Sequence, residues 1–169
     1  RFAQVSHEYL IEQVQEQSVD FSGANASQEL NFNHPVKELI WRKKGTSETG
    51  SNDMKATGNW LLKLNGHDRF AARDARYFTR TQIWEHHSGA GGLDSQAGSG
   101  GAGKFNDSIA VYSFSLKPEE HQPSGTCNFS RIDNAQLSCS GTGLATIVYA
   151  VNYNVLRIMS GMGGLAYSN

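Results

Sequence analysis

The feature that most constrains the fold is the alternation in the last stretch of the chain, Thr146 to Asn169, which reads TIVYAVNYNVLRIMSGMGGLAYSN. Ile147, Tyr149, Val151, Tyr153 and Val155 occupy every second position, with Asn152 and Asn154 between them. Side chains on a strand point alternately to its two faces, so this pattern predicts a strand with the odd-numbered residues inside and the asparagines outside. After Val155 the phase slips, since Leu156 and Ile158 are apolar and Arg157 is charged, and a β-bulge near Val155 or Leu156 is expected. Ser160-Gly161-Met162-Gly163-Gly164 then breaks the strand before Leu165, Ala166 and Tyr167.

The same period recurs upstream. Leu39 and Trp41 share a face, with Lys37 on it at the strand's start. Trp60, Leu62 and Leu64 alternate up to Asn65-Gly66, a pair that tolerates positive φ and signals a tight hairpin. From Ile109 to Leu116 a two-faced strand is expected, with Ala110, Tyr112, Phe114 and Leu116 on one side. Cys127 to Ile132 and Ala135 to Cys139 read as two short strands around Asp133-Asn134. Two segments have helical spacing instead: Phe2, Val5 and Tyr9 predict a short lead-in helix, and Phe70, Tyr77 and Trp84, seven apart, predict a helical turn or two. Ser88 to Gly103 is dominated by Gly, Ser and Ala, too little apolar surface to offset the entropy of ordering it, so a long mobile surface loop is expected. Seven or eight short strands with little helix predict an all-β sandwich or barrel.

Fifteen Lys and Arg stand against 16 Asp and Glu, a formal charge of −1, so no whole-chain field favours a nucleic acid backbone. No apolar run reaches the roughly 20 residues that cross a bilayer. Arg1 to Gln15 lacks the apolar region of a signal peptide, and the chain reads as soluble and unexported. Two cysteines, Cys127 and Cys139, are too few for a disulfide framework and read as buried free thiols.

Each stretch that could carry chemistry has a plainer reading. Gly98-Ser99-Gly100-Gly101-Ala102-Gly103-Lys104 has the spacing of a phosphate-binding loop. Phe105 stands where that loop needs Ser or Thr, and a strand follows where it needs a helix. Glu85-His86-His87, with Asp94 or His121, could be drawn as a metal site, but neighbours on a strand point apart and nothing completes the shell. His7 and His34 read as structural. Glu119-Glu120-His121 lies between two prolines on a connection and reads as solvated rather than catalytic. No Ser, Cys or Thr sits in a nucleophile motif, and no catalytic residue, metal or cofactor is expected. Asn25-Ala26-Ser27, Asn106-Asp107-Ser108 and Asn128-Phe129-Ser130 match the glycan acceptor triplet. Asn25 and Asn106 are kept as glycosylation candidates, while Asn128 reads as structural.

Four segments carry a resemblance: RFAQVSHEYLIEQ (Arg1 to Gln13), NFNHPVKELIW (Asn31 to Trp41), LKPEEHQPSGTCNFSRIDNA (Leu116 to Ala135) and NYNVLRIMSGMGGLAYSN at the end. In order and length they resemble the major capsid proteins of large icosahedral double-stranded DNA viruses, those of chloroviruses and mimivirus among them. The resemblance implies a jelly roll of two facing four-stranded sheets, the C-terminal one of a double jelly-roll capsid protein. Residues 1–15 would be the lead-in from a preceding jelly roll and 16–169 the C-terminal jelly roll, making the chain a fragment. It further implies a homotrimeric capsomer of nearly six-sided outline that tiles an icosahedral shell. Neighbouring capsomers and minor capsid proteins would be its partners, covalent glycans its modification, and the virion, assembled in the host cytoplasm, its location. A different class, a lectin-like carbohydrate-binding jelly roll, is suggested by Trp41, Trp60 and Trp84, although all three are expected in the core.

Overall fold

A computed structural model describes residues 1–21, 26–44, 58–89, 109–140 and 145–167. Among them the strands are β1 (His7–Asp20), β2 (Ala26–Glu29), β3 (Pro35–Lys43), β4 (Asn59–Leu64), β5 (His67–Asp68) and β6 (Arg73–Asp74). After a helical segment come β7 (Ile109–Ser113), β8 (Cys127–Asn128), β9 (Ala135–Ser140), β10 (Ala145–Met159) and β11 (Met162–Leu165). Two antiparallel sheets form. The larger runs β1-β10-β3-β7, with β11 added to β10 and β8 to β3, and the smaller runs β2-β9-β4-β5, with β6 on β4. The jelly-roll sandwich expected from the sequence is therefore present, with six and five strands in place of four and four. Three of the eleven described strands, β5, β6 and β8, are two residues long, too short for a hydrophobic period to reveal.

Aromatic rings form a continuous file through the space between the sheets. Phe21 meets Trp60 edge-on at 5.1 Å, Trp60 meets Trp41 at 5.5 Å, and Trp41 meets Phe78 at 5.2 Å. Phe70, Tyr112, Phe114, Phe129 and Phe32 continue it. Trp41 lies on the larger sheet and Trp60 on the smaller, so one ring pair joins the two layers at the spacing aromatic pairs favour. The Asn65-Gly66 hairpin is as expected: both residues have positive φ, 51° and 79°, and Leu64 pairs with His67 across a two-residue turn. Asn65 also accepts hydrogen bonds at Oδ1 from the Asp133 and Asn134 amides, tying the hairpin to the start of β9.

Several expectations are corrected. The lead-in helix is absent, because His7–Asp20 is a 14-residue strand paired with β10 along its whole length, and the boundary expected between residues 15 and 16 falls inside it. Phe2, Val5 and Tyr9 are all exposed, so their helical spacing carries no packing information. On β10 the phase is reversed. Val148 and Ala150 belong to the core, Asn152 and Asn154 are wholly buried on the same side, and Tyr149, Val151 and Val155 are half-buried on the other. The irregularity lies not at Val155 or Leu156 but opposite Val151 and Asn152, where Lys37 is the extra residue of β3. That bulge puts Val36, Leu39 and Trp41 together in the core and turns Lys37 to the outer face, against the expected grouping. Finally, the helical segment carries a π turn at Tyr77–Thr81 before α1 (Gln82–His86). The extra residue rotates the rest of the helix by about 100°, so Phe78 and Gln82 are buried while Trp84 is 79% exposed and not in the core.

The inward face of β1 has an unusual composition. Gln13, Gln15 and Gln17 point toward the sandwich; Gln13 accepts from Asn154 of β10, and the other two bond to a stretch of chain that crosses the open edge. Gln17 donates to the Glu29 carbonyl (2.8 Å) and accepts from the Asn31 amide (2.8 Å), and Gln15 accepts from the Asn33 amide (2.9 Å). Side-chain amides thus satisfy backbone groups that no neighbouring strand supplies. Gln17→Ala should cost about 1–2 kcal/mol and Gln15→Ala about 1 kcal/mol, read by urea unfolding. Glu16→Ala, on the opposite and exposed face, should cost under about 0.5 kcal/mol. Equal losses at 16 and 17 would show that the ladder does not support the edge.

Candidate functional site

The outer face of the larger sheet is the surface with the most unusual chemistry. Register places Leu10, Glu12, Val14 and Glu16 of β1 beside Val155, Tyr153, Val151 and Tyr149 of β10. Ile40 and Arg42 of β3 and Val111 and Ile109 of β7 continue the same face. Val14, Leu10 and Ile109 are exposed, so an apolar stripe reaches solvent in this chain. A second exposed apolar group lies where β11 folds back on β10: Met159, Met162 and Leu165, with Phe2 and Val5 contributed by the first turn of chain. The Gly161 amide donates to the Phe2 carbonyl and holds that turn against the hairpin.

At the bulge the outer face becomes polar. Lys37, nearly inaccessible, donates to Glu12 at 2.6 Å and lies 5.3 Å from the centre of the Tyr153 ring. The next residue, Glu38, is equally buried and accepts from His87 Nε2 at 2.7 Å. His87 Nδ1 reaches Glu119 at 3.2 Å, and Glu119 also accepts from the Ser88 amide and hydroxyl. The bond to Glu38 lifts the His87 pKa above the ordinary histidine value, with burial opposing. Hydrogen bonds from Ser88 lower that of Glu119.

The other residues singled out in the sequence are scattered. His86 turns to the Leu116 carbonyl rather than joining His87, Glu120 pairs with Lys117, and His121 approaches Glu12 at 3.5 Å. Among the described residues no group of His, Cys, Asp or Glu could hold a metal, and no helix is long and apolar enough to cross a membrane. Asn25, Asn106, Asp94 and the Gly98 to Lys104 motif lie outside the described residues. Asn128 uses its Oδ1 to cap the short helix Phe129–Arg131 through the Ser130 amide. His7 stacks on Tyr9 and meets Phe2 edge-on, and His34 stands beside Tyr167. Cys127 and Cys139 are free thiols; Cys139 is buried and Cys127 half-buried, with burial raising the Cys127 pKa. Trp41 and Trp60 are core residues, which leaves only Trp84 of the three tryptophans facing solvent.

Two antiparallel sheets closed over an aromatic core define a jelly-roll sandwich. The model of the family described as large eukaryotic DNA virus major capsid protein matches residues 1–164, and the chain belongs to that family. It is 49% identical over its whole length to the major capsid protein of Pyramimonas orientalis virus, covering 45% of that protein. It is 38% identical to the major capsid protein of Paramecium bursaria Chlorella virus 1, covering all of this chain and 50% of the relative. The fold superposes on the PBCV-1 virus capsid with a TM-score of 0.81 at 34% identity, over 99% of this chain and 53% of that one. A Faustovirus major capsid protein shares the fold at 14% identity, with a TM-score of 0.67 over 89% of this chain and 34% of that one. The chain spans about half the length of the curated relatives it matches.

Proposed function

We propose that this chain is the C-terminal jelly roll of a double jelly-roll major capsid protein, whose work is structural and not enzymatic. The observation that carries the reading is the match along nearly the whole chain, in sequence and in fold, to one part of proteins about twice as long. A preceding jelly roll would occupy the other half. Three such chains would form a capsomer with a nearly six-sided outline. Capsomers would tile an icosahedral shell in contact with one another and with minor capsid proteins, assembled in the host cytoplasm. No direct nucleic acid contact and no cofactor belong to this reading. Glycans on Asn25 and Asn106 remain part of it as surface modifications.

The exposed stripe of Leu10, Val14 and Ile109 and the Met159, Met162 and Leu165 group support permanent contacts, because burying apolar area is what stabilises obligate interfaces. Sedimentation of the full-length protein is expected to give a homotrimer that persists on dilution. Monomers alone at high concentration would overturn the assembly reading.

A further inference from the structure

Residues Ser115 to Ser124 form a compact loop whose ends meet, an Ω-loop. Its neck is closed by the Ser115 and Ser124 hydroxyls (2.9 Å), by the Lys117 amide on Ser124 Oγ (2.9 Å) and by the Leu116 amide on the Ser124 carbonyl (3.3 Å). Gly125 completes the neck at φ 137°, where a Cβ would lie 2.8 Å from the Phe114 carbonyl oxygen. The tip lies over the outer face of the larger sheet. It is fastened at Glu119 by His87 and Ser88, at the His121 carbonyl by the Tyr153 hydroxyl (3.4 Å), and at the His121 ring by Glu12.

We propose that this loop is a latch over the outer face, held shut by a protonated His87 that bridges Glu38 and Glu119, and loosened at its tip when that proton leaves. Both ring nitrogens of His87 face carboxylate oxygens, and an ionised carboxylate only accepts. Only the imidazolium can donate to both. After deprotonation the single remaining N–H stays with Glu38, since a buried carboxylate left without its donor costs more than an exposed one. The Nδ1 lone pair then faces Glu119, and the tip loses its tie to the sheet. Glu38 on β3 and Glu119 on the loop are the charges directly on the ring. Nearby charges are already engaged, Lys37 with Glu12, Lys117 with Glu120 and His86 with Glu85, and His121 is the second imidazole on the tip.

The direction follows from linkage. Because the folded His87 pKa lies above 6.5, the stabilising proton is fully bound below that value and is lost as pH rises through the raised one. Glu119 acts oppositely: its pKa lies below 4.5, so its hold is present above that value and fails only in acid, as pH falls through the lowered one. The latch is shut in mild acid and loosens on the alkaline side.

Hydrogen exchange of the full-length protein, followed by mass spectrometry from pH 6 to 9 and corrected for intrinsic exchange rates, tests this. Protection at Ser88 and Glu120, whose amides donate to Glu119 and to the Lys117 carbonyl, is expected to fall several-fold while β9 stays constant. His87→Gln should give low protection at every pH, with no alkaline fall. Glu119→Gln, at an exposed position that leaves folding intact, should also abolish the alkaline fall, because its amide can donate to the neutral ring. Constant protection in the unmodified protein, or an undiminished alkaline fall in either variant, would overturn the latch.

Discussion

Replacing Trp60 by alanine is expected to cost about 3–5 kcal/mol, the range for emptying a large aromatic site in a packed core. Trp60 is fully buried on β4 and touches rings on both sides, Phe21 and Trp41. It therefore joins the smaller sheet to the larger, and the two layers cannot close over the gap without moving the whole file of rings. A loss of this size is comparable to a good part of a typical domain's stability of roughly 5–15 kcal/mol. For a domain of this length each kcal/mol shifts the midpoint by roughly 2–4 °C, so the melting temperature should fall by about 6–20 °C. The exposed Trp84 supplies the control, and Trp84→Ala should stay within about 0.5 kcal/mol. Melting curves at one fixed protein concentration, so that assembly contributes equally, check both. Similar losses at 60 and 84 would mean that the aromatic file is not the element holding the sheets together.

What could be read from the sequence depended on whether a residue's chemistry matched its surroundings. Trp41, Leu39, Trp60 and Leu62 are apolar, alternate and are buried, and Asn65-Gly66 needs only local backbone physics, so these were legible. β1 was not, because its inward residues are glutamines that bond to a neighbouring backbone instead of packing. Only the repeated Gln at 13, 15 and 17 carried a period of two, in a residue type that hydrophobic patterning ignores. Trp84 was misplaced by one inserted residue in the helix before it. The polar cluster on the outer face draws Glu38, His87 and Glu119 from three distant parts of the chain, and no spacing rule reaches across such separations. The family, by contrast, was legible in four ordered segments, one of which, Leu116 to Ala135, contains most of the Ω-loop.

The reversed phase of β10 leads to the other large effect. Asn152 is fully buried beside Val36, and its Nδ2 donates to the Asn33 carbonyl at 3.3 Å. Asn154, two residues on, makes four bonds, donating to Gln13 and the Tyr167 carbonyl and accepting from the Val155 and Tyr167 amides. Polarity suggested solvent at these positions. The structure shows instead that the core face of β10 ends against polar groups, which Asn154 meets as donor and acceptor and Asn152 as donor only, its buried Oδ1 having no hydrogen-bond partner among the described residues. Asn152→Asp keeps the shape but removes the N–H and sets a desolvated negative oxygen against the Asn33 carbonyl. The expected loss is about 3–5 kcal/mol, as for a buried charge without a partner. Val151→Asp, half-buried on the other face and across from the exposed Val14, should cost about 1–2 kcal/mol, part of it repulsion from Glu38 opposite. Soluble yield and melting temperature of the two variants decide the matter: the greater damage must come from position 152, and greater damage from position 151 would restore the phase that alternation alone suggested.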